Sequence, residues 1–207
     1  MIVSGGHTAI VKVADYTNNI LIGSTVDDAI GEAYDKVSKV LGLGYPGGPI
    51  VDKTAKLGTA NMQFVKSDGL KNSFNFSYSG LKTAVINYLH KLDQHGEKPN
   101  IPDVCASFQA EAVGALVEKS IRACKKYKFT TLAVAGGVAA NSYLRAELTK
   151  EGERNGIRVL FPPMVLCTDN AALIASEGYF NLISNSGFAT TELTATPNLN
   201  LKYVVKR

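Results

Sequence analysis

The chain has 207 residues, 45% of them hydrophobic, with 22 Lys and Arg against 18 Asp and Glu for a net charge of +4. That length supports one large domain or a compact pair, and a mean hydropathy near zero fits a globular protein. No apolar run approaches the roughly 20 residues that span a bilayer. Residues 1–15 lack the basic and apolar regions of a secretory leader, and Cys105, Cys124 and Cys167 form neither zinc spacing nor a disulfide framework. A cytoplasmic protein with no membrane partner is the expectation.

In chain order, residues 1–4 open as an apolar strand, and Ala9 to Val13 reads as the return arm of a hairpin across Gly5 and Gly6. Ile20 to Thr25 supplies a third strand. Asp27 or Asp28 is placed to cap a helix running to about Leu41, with Ile30, Ala33, Tyr34 and Val37 on its apolar side. Gly42 and Gly44 end it, and a second helix from Pro49 carries Ile50, Val51, Ala55 and Leu57. Residues 59–77 lack a clear period.

Ser79-Gly80 introduces a helix to about Leu92, and the stretch from Gln94 to Pro102 is a polar linker. Asp103 to Lys126 has the clearest helical period, through Val104, Phe108, Ala112, Leu116 and Ile121. Thr131 to Ala135 reads as a short buried strand, followed by a helix to about Asn155 and a strand from Arg158 to Phe161. Pro162-Pro163 breaks that strand, Asp169 is placed to cap a helix over residues 170–184, and the end from Gly187 is polar. The lysines are scattered apart from two basic clusters, Arg122 to Lys128 and Lys202 to Arg207. These are compatible with an RNA partner without arguing strongly for one.

Three glycine-rich loops punctuate these elements: Ser4-Gly5-Gly6-His7-Thr8, Tyr45-Pro46-Gly47-Gly48-Pro49 and Ala135-Gly136-Gly137-Val138-Ala139-Ala140-Asn141. Glycine lets a ligand approach main-chain N–H groups, which cradle anionic oxygens at helix N-termini. Three such loops suggest a nucleotide or another phosphorylated ligand. Each also has a plainer reading, as a hairpin turn, a helix start and an N-capped helix respectively. Strand–loop–helix units with opening hairpins point to an α/β domain.

Further motifs stand between and after the loops. They are Asp27-Asp28-Ala29-Ile30-Gly31-Glu32-Ala33-Tyr34-Asp35-Lys36, then Phe76-Ser77-Tyr78-Ser79-Gly80-Leu81-Lys82-Thr83, then Cys167-Thr168-Asp169-Asn170-Ala171-Ala172. In this order, over essentially the whole chain, the motifs resemble the tRNA N6-adenosine threonylcarbamoyltransferase family (TsaD), once described as O-sialoglycoprotein endopeptidases. The resemblance implies an α/β fold of the actin-like ATPase (ribonuclease H-like, ASKHA) type. Residues 1–207 would be the C-terminal portion of a two-lobed transferase, mainly the second lobe with helical insertions.

It also implies transfer of a threonylcarbamoyl group from threonylcarbamoyl-AMP to the tRNA adenosine beside the anticodon. The implied ligands are one iron or zinc ion and an adenine nucleotide, threonylcarbamoyl-AMP or ATP. The implied partners are tRNA, an inactive paralogue and a P-loop ATPase. Carried onto this sequence, the substrate-binding positions are Ile2, Val3, Ser4, Gly5, Gly6, Asp35, Gly48, Asp52 and Asn141. Asp169 matches a metal-ligating carboxylate, although Asp-Asn before an apolar helix is also a plain cap. His7 is not one of the family's standard ligands, and His90 and His95 read as surface residues.

The family's members carry an N-terminal lobe that supplies a His-x-x-x-His pair, and this sequence contains no such pair. Asp169 alone is too small a donor set for tight metal binding, so this chain is expected to be inactive by itself. Apolar surface from Val3, Ile10 and the first hairpin is expected to be exposed and to favour a homodimer. The alternatives are a non-catalytic scaffold or regulatory paralogue of the same complex, and a small-molecule kinase of the actin fold.

Overall fold

The computed structural model describes residues 1–64, 69–184 and 194. Strands β1 (Ile2–Val3), β2 (Thr8–Val13) and β3 (Asn19–Ser24) form an antiparallel meander, with Ile2 opposite Ala9 and Val13 opposite Asn19. A bulge falls between Ile10 and Val11. Strands β4 (Thr131–Ala133) and β5 (Arg158–Leu160) pair in parallel. Main-chain bonds from Val3 N to Ala135 O (2.8 Å) and from Ala135 N to Met1 O (2.9 Å) lay β1 parallel to the β4 segment. The sheet therefore runs on as β3-β2-β1-β4-β5, three antiparallel strands followed by two joined through a helical crossover.

Helices α1 (Ile30–Val40), α2 (Gly47–Ala55), α3 (Ser79–Gln94) and α4 (Ile101–Tyr127) precede β4. Helix α5 (Ser142–Arg154) links β4 to β5, and α6 (Ala171–Ile183) follows. Helix α4 is the spine. Its residues Val104, Phe108, Ala112 and Leu116, spaced four apart, are fully buried. Each large side chain removed from water this way contributes about 1.5–3 kcal/mol. Asn100 caps α4 through Asp103 N, and Lys128 closes it in the left-handed conformation at φ 59°. The Tyr34 ring of α1 meets Phe108 edge-on at 5.1 Å, which ties α1 to this spine.

Several sequence expectations need correction. Neither Asp27 nor Asp28 caps α1, whose N-cap position is Ala29; the Ile30 N–H instead donates to Thr8 Oγ1 at 2.8 Å. Asp28 is held by Lys36 at 2.6 Å, and Asp27 reaches across to cap α3. Helix α2 begins at Gly47 rather than Pro49, because the Asp35 carboxylate receives the Gly47 N–H at 2.7 Å. Leu57, read as part of its apolar face, is 80% exposed beyond the helix end. The cap of α6 is Asn170, not Asp169; Asn170 Oδ1 accepts from Leu173 N at 3.1 Å.

Strand β4 is not buried throughout: Leu132 faces the core, while Thr131 and Ala133 are exposed. Val3 and Ile10, expected at the surface, are buried, since β1 and β2 lie inside the continuous sheet. Exposed apolar side chains do lie on the opening hairpins, at Val13, Tyr16 and Ile20, and also on α6, which has no buried residue and touches the β2–β3 turn through a Tyr16–Phe180 ring stack at 3.6 Å. The readings from Gly187 onward, including Lys202 to Arg207, fall outside the described residues. No helix among the described residues is long and apolar enough to cross a membrane.

Candidate functional site

The three glycine loops meet at one end of the sheet through short, specific links. Loop one is a tight turn: Ser4 N donates to His7 O at 2.8 Å, and His7 N donates back to Ser4 Oγ at 3.0 Å. Gly31, in the first turn of α1, donates to Ser4 O at 3.2 Å and fixes the loop against that helix. Loop three packs on the same segment. Gly136 has φ 101°, and a Cβ there would lie 2.3 Å from Val3 O, so only glycine fits. Loop two is held from α1 by Asp35, and a Cβ on Gly47 would meet Tyr34 O at 2.6 Å.

Helices α2 and α5 close the ring. Ser142 Oγ lies 3.0 and 2.8 Å from the two oxygens of Asp52, and Ser142 N donates to Oδ2 at 3.3 Å. Lys56 approaches the same carboxylate at 3.8 Å. Asn141 caps α5 by accepting from Leu144 N at 2.8 Å, and its amide nitrogen donates to Gln109 Oε1 at 3.0 Å. Tyr34 donates its phenol hydrogen to that oxygen at 3.1 Å. Burial, and next the Asp52 charge, push the Tyr34 pKa well above the ordinary phenol value, so it stays a protonated donor.

The residues singled out in the sequence thus divide by what they leave available. Gly5 and Gly6 are exposed, and open space surrounds the position a Cβ would take on either. Gly48 is half-buried with similar open space. Asp35 spends one oxygen on Gly47 and keeps the other as an acceptor. Asp52 spends both on Ser142. Val3 is fully buried and Ile2 partly so, both inside the ladder. Gln109, Tyr34 and Ser142 were not singled out. Gln109 carried a visible signal, as a polar residue within the apolar period of α4, whereas Tyr34 was absorbed into the core stripe of α1.

Asp169 is exposed just before α6, and no three His, Cys, Asp or Glu side chains converge among the described residues. One exposed carboxylate does not make a site for iron or zinc. His7, His90 and His95 are exposed. In the Arg122 to Lys128 cluster, Arg122 pairs with Glu118 at 3.2 Å, donates to the carbonyls of Lys71 and Ser73, and lies over Phe74. Lys126 lies over Phe74 and Tyr127. Part of that charge therefore serves local packing.

Known proteins place the chain in a family. The profile of the tRNA N6-adenosine threonylcarbamoyltransferase family (TsaD) matches residues 1–176. A protein of that name from Clostridium perfringens (strain SM101) is 50% identical over 202 residues, and one from Clostridium botulinum (strain Kyoto) is 48% identical. Each alignment covers 97% of this chain and 59% of the relative, so the chain spans about three-fifths of their length. The solved structure of full-length HypF in its phosphate- and nucleotide-bound form superposes with a TM-score of 0.56 at 16% identity. That match covers 76% of this chain and 21% of HypF, and it bears on the fold alone. With the strand order seen here, the mixed α/β architecture is that of the actin-like ATPases. The chain belongs to the tRNA N6-adenosine threonylcarbamoyltransferase family.

Proposed function

We propose that the chain forms the nucleotide-holding portion of a tRNA threonylcarbamoyltransferase, with ATP or threonylcarbamoyl-AMP bound where the three glycine loops meet. The observation that carries this reading is the closed ring of contacts joining Ser4, Gly31, Asp35, Gly47, Asp52, Ser142, Asn141 and Gly136, residues far apart in sequence. In it, the free oxygen of Asp35 accepts from ribose hydroxyls. The backbone of Gly5 and Gly6 and the positive N-terminus of α2 face the acyl-phosphate. The whole enzyme moves the threonylcarbamoyl group to the exocyclic nitrogen of the tRNA adenosine beside the anticodon. It works in the cytoplasm with a paralogous subunit and a P-loop ATPase as partners.

Calorimetric titration of ATP into the chain tests the reading. Asp35→Asn is the informative variant, since its Oδ1 still accepts from Gly47 and only the charge and one acceptor are lost. Binding by the wild type that weakens at least tenfold in Asp35→Asn supports the site. The absence of ATP binding to a chain that melts cooperatively would refute it.

A further inference from the structure

Strand β1 stops short of its neighbours. It has two residues, against six in β2 and three in β4, and Met1 stands just ahead of it. Beyond Met1, β2 and β4 therefore face each other across two strand spacings, about 9–10 Å, which is room for one extended chain. The main-chain groups on both walls turn into that slot. On β2, Thr8 O accepts from Thr25 N and Ala14 N donates to Asn18 O, so the even-numbered residues serve β3. Ala9 pairs with Ile2, and Val11 and Val13 present the same edge beyond it. On β4, Thr130 O accepts from Arg158 N and Val134 N donates to Leu160 O, so the even-numbered residues serve β5. Ala135 N donates to Met1 O, and Ala133 O accepts from the Met1 amine at 2.7 Å. The Ala133 N–H and the main chain of Thr131 therefore point into the slot.

The slot belongs to a groove of about 580 Å³, at the opposite end of β1 from the glycine loops. Leu21, Ala123, Cys124 and Phe129 give it an apolar floor, and its charged groups are the Met1 amine and Lys12. No Asp or Glu among the described residues lines it. Two facing rows of main-chain donors and acceptors call for an extended backbone, because a helix bonds its own main chain and leaves both rows unmet. The floor selects apolar side chains, and the amine at the inner end selects a carboxylate.

We propose that the slot is a docking site for the C-terminal tail of a separate polypeptide. The tail enters as an extended strand between β2 and β4, running in the direction of β1, with its terminal carboxylate on the Met1 amine. About three residues enter, opposite Val11, Lys12 and Val13 in the register that sets Ile2 against Ala9. Main-chain bonds to both walls hold the tail, and alternate apolar side chains rest on Phe129 and Cys124.

The probe is a tetrapeptide, acetyl-valyl-threonyl-valyl-valine with a free carboxylate, titrated into the chain and followed by proton–nitrogen correlation spectra. Saturable shifts and slowed solvent exchange are expected at the amides of Val11, Val13, Thr131 and Ala133. The same peptide with a C-terminal amide should bind at least tenfold more weakly. N-terminal acetylation of the chain, which removes the amine's charge and fills the inner end of the slot, should abolish binding. Ala133→Pro removes a donor that faces the slot and none that serves β5, and should weaken the peptide about fivefold.

No saturable binding to a chain that melts cooperatively overturns the proposal, as do shifts confined to other surfaces. Equal affinity for the carboxylate and amide peptides overturns it too, since the amine then selects nothing. If Ala133→Pro fails to melt cooperatively, the amidated peptide and the acetylated chain decide. A dimer of this chain that the peptide dissociates would make the tail that of a second copy and overturn the separate partner.

Discussion

Acidification from pH 8 to pH 6 should weaken the fold through the α-amino group of Met1. That group is buried at the head of β1, where it donates to Ala133 O at 2.7 Å. Burial lowers its pKa from 8.0 to about 6, with the nearby Cys124 acting weakly in the opposite direction. Between these two values the unfolded chain binds a proton that the folded chain does not. The contribution is therefore fully present above pH 8, falls as the pH drops toward 6, and is constant below. A shift of that size corresponds to about 3 kcal/mol, or about 1 M in the urea midpoint at a slope of 2–3 kcal/mol/M.

Urea unfolding across this pH range, on the free and the N-terminally acetylated chain, isolates the effect. Acetylation keeps the N–H donor and removes the proton equilibrium, and the groove lined by Met1, Ala123, Cys124 and Phe129 leaves room for the added group. Stability of the acetylated chain should vary less with pH by about the amount above. The same slope in both forms would refute the reasoning.

Three substitutions in the loops and caps have expected outcomes of their own. Gly136→Ala should cost about 3 kcal/mol in urea unfolding, because it combines a left-handed φ with backbone overlap on Val3. Gly6→Ala, in a loop that looks alike in sequence, should change stability by less than about 0.5 kcal/mol. Asp27→Ala should cost about 1 kcal/mol, as it removes the acceptor for Tyr78 N at 2.8 Å and for the Ser77 and Ser79 hydroxyls. Burial opposes ionisation of Asp27, yet these hydrogen bonds hold its pKa below 3.8, so its contribution is present above that value and lost below it. The difference between wild type and Asp27→Ala in acid unfolding reads it.

Periodicity carried most of the element pattern, and did so where one face was buried. The four-residue spacing of Val104, Phe108, Ala112 and Leu116 states the α4 spine directly. What local reading missed were caps supplied from a distance. Asp27 looks like the cap of α1 because it precedes that helix, yet it belongs to α3, 51 residues on. Asp35, matched in sequence to a substrate-binding position, also starts α2. Thr8 was a strand residue with no visible tie to α1. Such partners depend on which backbone N–H groups the tertiary fold leaves orphaned, and spacing rules do not contain that information. The motif order, by contrast, identified the family and pointed to the loops that the fold then gathers.

The remote caps also bear on which polar residues face a ligand. Asp35, Asp52 and Asn141 all satisfy helix N-termini, so a capping role and a binding role do not compete for them as explanations. What separates them is residual valence. Asp52 has both oxygens engaged by Ser142 and serves as the joint between α2 and α5. Asp35 keeps one carboxylate oxygen clear of its bond to Gly47 N, whereas the Asn141 amide is held on both sides, its oxygen by Leu144 N and its nitrogen by Gln109 and Tyr34. Asp35 is anchored at one end by a main-chain N–H, so it loses little further freedom on meeting a ligand. That is the property that lets a short polar side chain contribute to affinity. On the proposed nucleotide reading, Asp35 is the one of the three with an oxygen left for a ligand, while Asp52 joins α2 to α5. The same bond that starts α2 thereby orients the Asp35 carboxylate.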